Sequence, residues 1–136
     1  MKFTQENGGG RYRVRGYDAT QVTVEWGVVD EQGAPQLMSE ALGRSFILTP
    51  DALLTADLPE SVGKLSNEHL QPLVDAKTEV LLLGAGLASV FPAPELVSWL
   101  SRQGIGLESM NTAAACRTYN LLMLEDRRVA MMVLFD

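Results

Sequence analysis

Two stretches of the chain place glycines or polar side chains where chemistry could be done. The first is Leu81-Leu82-Leu83-Gly84-Ala85-Gly86-Leu87-Ala88-Ser89, an aliphatic run that breaks into Gly-x-Gly. A strand ending in such a turn can offer backbone N–H groups to a pyrophosphate if a helix starts directly behind it. Glu108 follows near the spacing of a carboxylate that would hold a ribose hydroxyl. Two features weaken that reading. Ser89 stands where a third glycine belongs, and Pro92 and Pro94 hold the next helix back to about residue 94. The competing reading is a glycine turn that lets the chain leave a sheet.

The second stretch is Asn111-Thr112-Ala113-Ala114-Ala115-Cys116-Arg117-Thr118-Tyr119-Asn120. Asn111 or Thr112 is suited to cap a helix. From Ala113 to Leu124 the polar residues are Arg117, Thr118 and Asn120, so the helix is expected to be buried on most sides. Helical spacing puts those three on one arc with Ala113, Ala114, Leu121 and Leu124. Ala115, Cys116, Tyr119, Leu122 and Met123 form the opposite arc, which reads as core. A buried guanidinium needs a partner. Glu108 or Glu125 would serve from inside, and an anionic ligand or a partner's carboxylate from outside. Arg117 is therefore expected to matter more to folding than any other charged residue. The candidate ligand- or partner-binding residues are Gly84, Gly86, Asn111, Thr112, Arg117, Thr118 and Asn120.

No catalytic residue is assigned. Cys116 would need a base, and nothing in the sequence places His69, the single histidine, beside it. A cysteine inside an apolar helix is ordinarily a small inert hydrophobe. One histidine and one cysteine give zinc or iron no ligand set, so no metal site is expected. Walker A and Gly-x-Ser-x-Gly strings are absent, and no cofactor is expected.

The elements that must position these residues follow from periodicity. Arg11 to Gly16 and Gln21 to Trp26 alternate around a turn at Gly16-Tyr17-Asp18-Ala19-Thr20, which predicts a hairpin over about 11–26. Residues 30–43 are polar and contain Gly33 and Pro35, and read as a loop or insertion. Arg44 to Leu48 is a short strand, and Leu53 to Lys64 is ambiguous. Ser66 can cap a helix towards Lys77 that Pro72 should bend. Glu79 to Leu83 reads as a strand buried on both faces. Pro94 to Gln103 is a helix, Ile105 to Met110 a strand, Thr112 to Glu125 a helix and Arg128 to Phe135 a final strand. Such alternation predicts an α/β fold with a mainly parallel sheet covered by helices and the hairpin as an added layer. The carboxyl ends of the parallel strands should then bring Gly84–Gly86 beside Met110–Thr112.

Composition sets the outer bounds. The 136 residues suit one domain over 1–136, with enough hydrophobic sequence (46%) to form a core without staples. A single cysteine fits a reducing, cytoplasmic setting. The Met1 end lacks the apolar core of a secretory signal. Val80 to Phe91 falls short of the ~20 apolar residues a membrane span requires, so the chain is expected not to be membrane-embedded. A net charge of −6 argues against nucleic acid. Arg11, Arg13 and Arg15 read as the polar side of a strand.

Three strings carry a resemblance: Gly104 to Thr112, Ala115-Cys116-Arg117-Thr118-Tyr119-Asn120, and Glu125-Asp126-Arg127-Arg128-Val129-Ala130. With Leu83-Gly84-Ala85-Gly86 and Pro94-Glu95-Leu96, they make the chain similar to a small domain-of-unknown-function family. That family includes uncharacterised bacterial proteins, mitochondrial complex I assembly factor three and an adipogenesis-associated human protein. The resemblance is clear from about Glu79 to Leu134 and fainter over the hairpin. It implies a three-layer fold with a central mixed sheet of five strands, the last strand antiparallel in its middle. It implies no established enzymatic activity. Protein partners are expected, with respiratory-complex subunits or their assembly machinery as the implied class.

Overall fold

The computed structural model describes residues 11–87 and 89–135. Strands β1 (Arg13–Tyr17), β2 (Val22–Val29) and β3 (Pro35–Leu42) form an antiparallel three-stranded sheet in that order. The hairpin expected near the start is β1–β2, with a bulge between Val14 and Gly16. The loop expected over 30–43 shrinks to the turn at Asp30, whose carboxylate accepts the N–H groups of Gln32 and Ala34. Pro35–Leu42 is instead a full strand, paired residue for residue with β2. It lacks alternation because seven of its eight residues are exposed, so burial wrote no pattern into it.

The second sheet has five strands in the order β5-β4-β8-β6-β7. They are β4 (Phe46–Thr49), β5 (Ala52–Leu54), β6 (Val80–Gly84), β7 (Gly106–Met110) and β8 (Val129–Val133). The ambiguous stretch thus supplies β5 and a short 3-10 turn, Val62–Lys64. As expected, β8 lies in the middle. It is antiparallel to β4 but parallel to β6, so the strand that reverses the sheet is β4 rather than the last one.

Helices α1 (Asn67–Asp75), α2 (Pro94–Arg102) and α3 (Thr112–Leu124) cover this sheet. Ser66 caps α1, and His69 completes the cap by accepting the Ser66 N–H at 3.0 Å. The helix continues through Pro72. Leu70, Leu73, Leu96 and Leu100 bring α1 and α2 against one face, over Leu81, Leu83, Ala130 and Met132. On the other face Leu82, Met131 and Val133 meet Ala115, Cys116, Tyr119 and Met123 of α3, then Val14, Val22 and Val24 of the small sheet. Because β6 and β8 contribute to both clusters, their unbroken aliphatic runs follow. The layers are therefore α1 and α2, the five-stranded sheet, and α3 with the three-stranded sheet. Among the described residues no helix is long and apolar enough to cross a membrane.

Candidate functional site

The chain leaves β6 towards α2 on one face and leaves β7 towards α3 on the other. Loops that part in this way open a crevice at the carboxyl ends of adjacent strands, where α/β sheets hold ligands. Here the protein closes that crevice with its own groups. The Gly86 N–H donates to Thr112 Oγ1 at 2.9 Å, and the Thr112 N–H donates to the Gly86 carbonyl at 2.9 Å. Asn111 caps α3 by accepting the Ala114 N–H at 2.8 Å. Gly86 and Asn111 do lie at the same end of the sheet, as the topology required. The glycine-loop amide that a pyrophosphate would use is already taken.

The two glycines have separate reasons. Gly86 has φ +84°, a conformation costly for residues with a Cβ. A Cβ on Gly84 would meet the Ala115 Cβ and the Thr112 Cα, each at 3.2 Å. Gly84 therefore marks the place where the first turn of α3 presses on β6.

Beside the closed crevice lies a half-open groove of about 670 Å³. Tyr17, Asp18 and Ala19 of the β1–β2 turn form one wall, and Asn111, Thr112 and Ala113 form another. Leu134 and Phe135, just past β8, make the floor, and Gly86 and Leu87 make the lip. Most of the lining is apolar. Its one charged residue is Asp18, whose carboxylate accepts the Thr20 N–H, the Thr20 hydroxyl and the Gln21 N–H. Those bonds lower its pKa from the ordinary carboxylate value, so it stays negative near neutral pH. Leu87 is 98% exposed at the lip, and Val90 and Phe91 continue the exposed apolar run. Ser109 holds that run by accepting the Val90 N–H and donating to its carbonyl.

The structure separates the polar residues of α3. Arg117 is exposed, not buried, and donates to the Tyr17 hydroxyl at 2.9 Å. Neither Glu108 nor Glu125 pairs with it among the described ion pairs. The expectation of a dominant folding role is therefore corrected. The helix is apolar without being enclosed, for Leu121 and Leu124 on the same arc are exposed as well. Arg117→Ala is accordingly expected to change stability by less than about 1 kcal/mol in a thermal melt. Thr118 is half-buried and lines no part of the groove.

Asn120 faces the free side of β1. Its Oδ1 accepts the Val14 N–H and its Nδ2 donates to the Val14 carbonyl, both at 2.9 Å. One side-chain amide thus replaces a missing neighbouring strand. Tyr119 adds a bond from its hydroxyl to the Tyr12 carbonyl at 2.8 Å. Arg11, at the same end, pairs with Asp126 at 2.6 Å. Arg13 pairs with Glu25 at 2.8 Å, so two of the three early arginines are neutralised within the fold. The Tyr119–Asn120 clamp was not evident in sequence, since its partners lie more than a hundred positions away. Burial pushes the Cys116 thiol up to about 12, which leaves almost no thiolate at neutral pH.

Comparison with known proteins agrees with this architecture. A Xanthomonas campestris protein solved by NMR superposes with a TM-score of 0.73 at 35% identity, covering 91% of this chain and 84% of the other. A Bordetella pertussis protein described as a Mth938-like domain gives 0.67 at 26% identity, covering 91% and 85%. A Francisella tularensis protein named "13 kDa major membrane protein" is 27% identical over 78 residues, which is 57% of this chain. The match spans 63% of that relative's length. Residues 14–134, nearly the whole described fold, match the family of proteins of unknown function DUF498/DUF598, and the chain belongs to that family.

Proposed function

We propose that this chain is a non-enzymatic protein-interaction domain whose contact surface is the groove between the β1–β2 turn and the start of α3. The observation that carries the reading is the apolar lip. Leu87 and Phe91 are held in solvent beside an apolar groove, an arrangement that costs solubility unless another surface covers it. The groove's size and open side suit an apolar side chain or short segment of a partner. The candidate residues divide accordingly. Asn111 and Thr112 form a wall and Gly86 part of the lip, while Gly84 lies outside the lining where α3 presses on β6. Arg117 donates to the hydroxyl of Tyr17 on the facing wall.

Respiratory-complex subunits or their assembly machinery enter as the partner class, on the sequence resemblance alone. A cytoplasmic domain acting on membrane-associated partners also accommodates a relative named for a membrane. The second reading is a small-molecule site, which the groove volume of about 670 Å³ favours. That ligand would be apolar, since Asp18 repels anions and the Gly86 amide is occupied. Photo-cross-linking from position 87 in cells separates the two readings, because only a protein partner yields an adduct of protein size.

A further inference from the structure

The small sheet ends in an edge whose hydrogen-bonding pattern can be read out. Both backbone groups of Val14 are taken by Asn120, so they point away from β2. Its opposite residue Val24 must then turn its N–H and carbonyl towards β3, where it faces Glu40. The bond from the Asp30 N–H to the Ala34 carbonyl lies in the same series and confirms the phase. Gln36, Met38, Glu40 and Leu42 therefore bond inward to β2. Leu37, Ser39 and Ala41 direct their N–H and carbonyl groups outward, together with the carbonyl of Pro35, which has no N–H to leave unpaired.

Among the described residues no strand occupies that outer side. The strand carries one charge, Glu40, and its exposed residues include Leu37 (69%) and Met38 (44%). A straight, weakly charged edge of this length is a template for another strand. The strand's own sequence supplies a matching one. Laid antiparallel against itself about Met38, it sets the Leu37 groups against those of Ser39 and the Ala41 N–H against the Pro35 carbonyl. All outward donors on both strands are then paired. Met38 meets Met38 at the closely spaced, non-hydrogen-bonded position. Each Glu40 carboxylate meets a Gln36 amide, not the other Glu40. On that face Tyr12 stacks on Trp26 at 5.0 Å, and Trp26 lies opposite Met38 in the register. The apolar row Tyr12–Trp26–Met38 would continue into its copy without a charged break.

We propose that two copies of this chain pair through β3, joining their three-stranded sheets into one antiparallel sheet about an axis at Met38. No residue of β3 lines the groove, so the two surfaces are distinct. An edge pairing of this extent is at the small end of stable interfaces, under about 1,200 Å², so the dimer should dissociate on dilution.

Light scattering across a dilution series of the purified full chain, combined with oxidation of cysteine variants, tests this. Buried Cys116 stays out of the reaction. Met38→Cys should form a reducible covalent dimer rapidly, because non-hydrogen-bonded partners bring Cα atoms to about 4.5 Å, within disulfide reach. Ser39→Cys, whose side chain lies on the opposite face, should link far more slowly. Met38→Lys, which puts two like charges on the axis, should remain monomeric with an unchanged melt. A single-chain mass at every concentration would overturn the proposal. So would a dimer that Met38→Lys leaves intact and Met38→Cys fails to link.

Discussion

Replacing Asn120 with alanine is expected to lower stability by about 2–3 kcal/mol, or roughly 10 °C in the melting temperature. The change removes one small side chain from a half-buried position, yet strands two backbone groups. Val14 is buried, and both its N–H and its carbonyl depend on the Asn120 amide. An unpaired buried polar group costs about 1–3 kcal/mol, and partial access of water at this edge sets the total below the sum of two. Asn120→Asp gives a sharper check. It keeps the acceptor for the Val14 N–H but sets a carboxylate against the Val14 carbonyl. The variant should therefore be at least as unstable as the alanine change near neutral pH. It should recover partly in acid, where a protonated carboxyl can donate. A wild-type melt for Asn120→Ala would show that the clamp is dispensable.

Gly84→Val is expected to cost about 1–3 kcal/mol and to disturb the groove at the same time. The contacts at 3.2 Å leave no room for even one methyl group without movement, and the Thr112 Cα is backbone that cannot rotate aside. A branched side chain must push the start of α3 off β6. That movement would also lengthen the paired bonds between Gly86 and Thr112, since they link the same two segments. Gly84→Ala should give a smaller loss in the same direction. Thermal melts of the two variants, with the Gly86 amide followed by hydrogen exchange, provide the check. If valine is tolerated while that amide remains protected, the close approach does not govern this end of the sheet.

The sequence disclosed the parts of this fold in which burial leaves a rhythm. Leu81, Leu82 and Leu83 announced a strand covered on both faces. Of the core arc of α3 assigned as Ala115, Cys116, Tyr119, Leu122 and Met123, all are buried except Leu122, which is half-buried against the core. Alternation of strands and helices was enough to bring Gly86 and Asn111 to one end. What stayed hidden depends on partners distant in the chain. The strand Pro35–Leu42 has no rhythm of its own because only β2 defines it. Helical spacing gave Arg117 a direction but not what lies in that direction, which proved to be solvent and Tyr17. Asn120 was visible as polar, while the strand edge it serves was not. Gly84 and Gly86 resembled a phosphate loop because a close helix approach and a positive φ select glycine for the same reasons a ligand would.

The proposed role of the groove is tested most directly by placing a photo-reactive phenylalanine analogue at position 87 and irradiating living cells. The same analogue at exposed Glu68, on α1 across the five-stranded sheet, serves as the control. A discrete adduct is expected from position 87 that contains a protein other than a second copy of this chain, and none from position 68. Lack of any protein adduct at position 87, with an apolar small molecule of one mass retained by the gently purified chain, would contradict it.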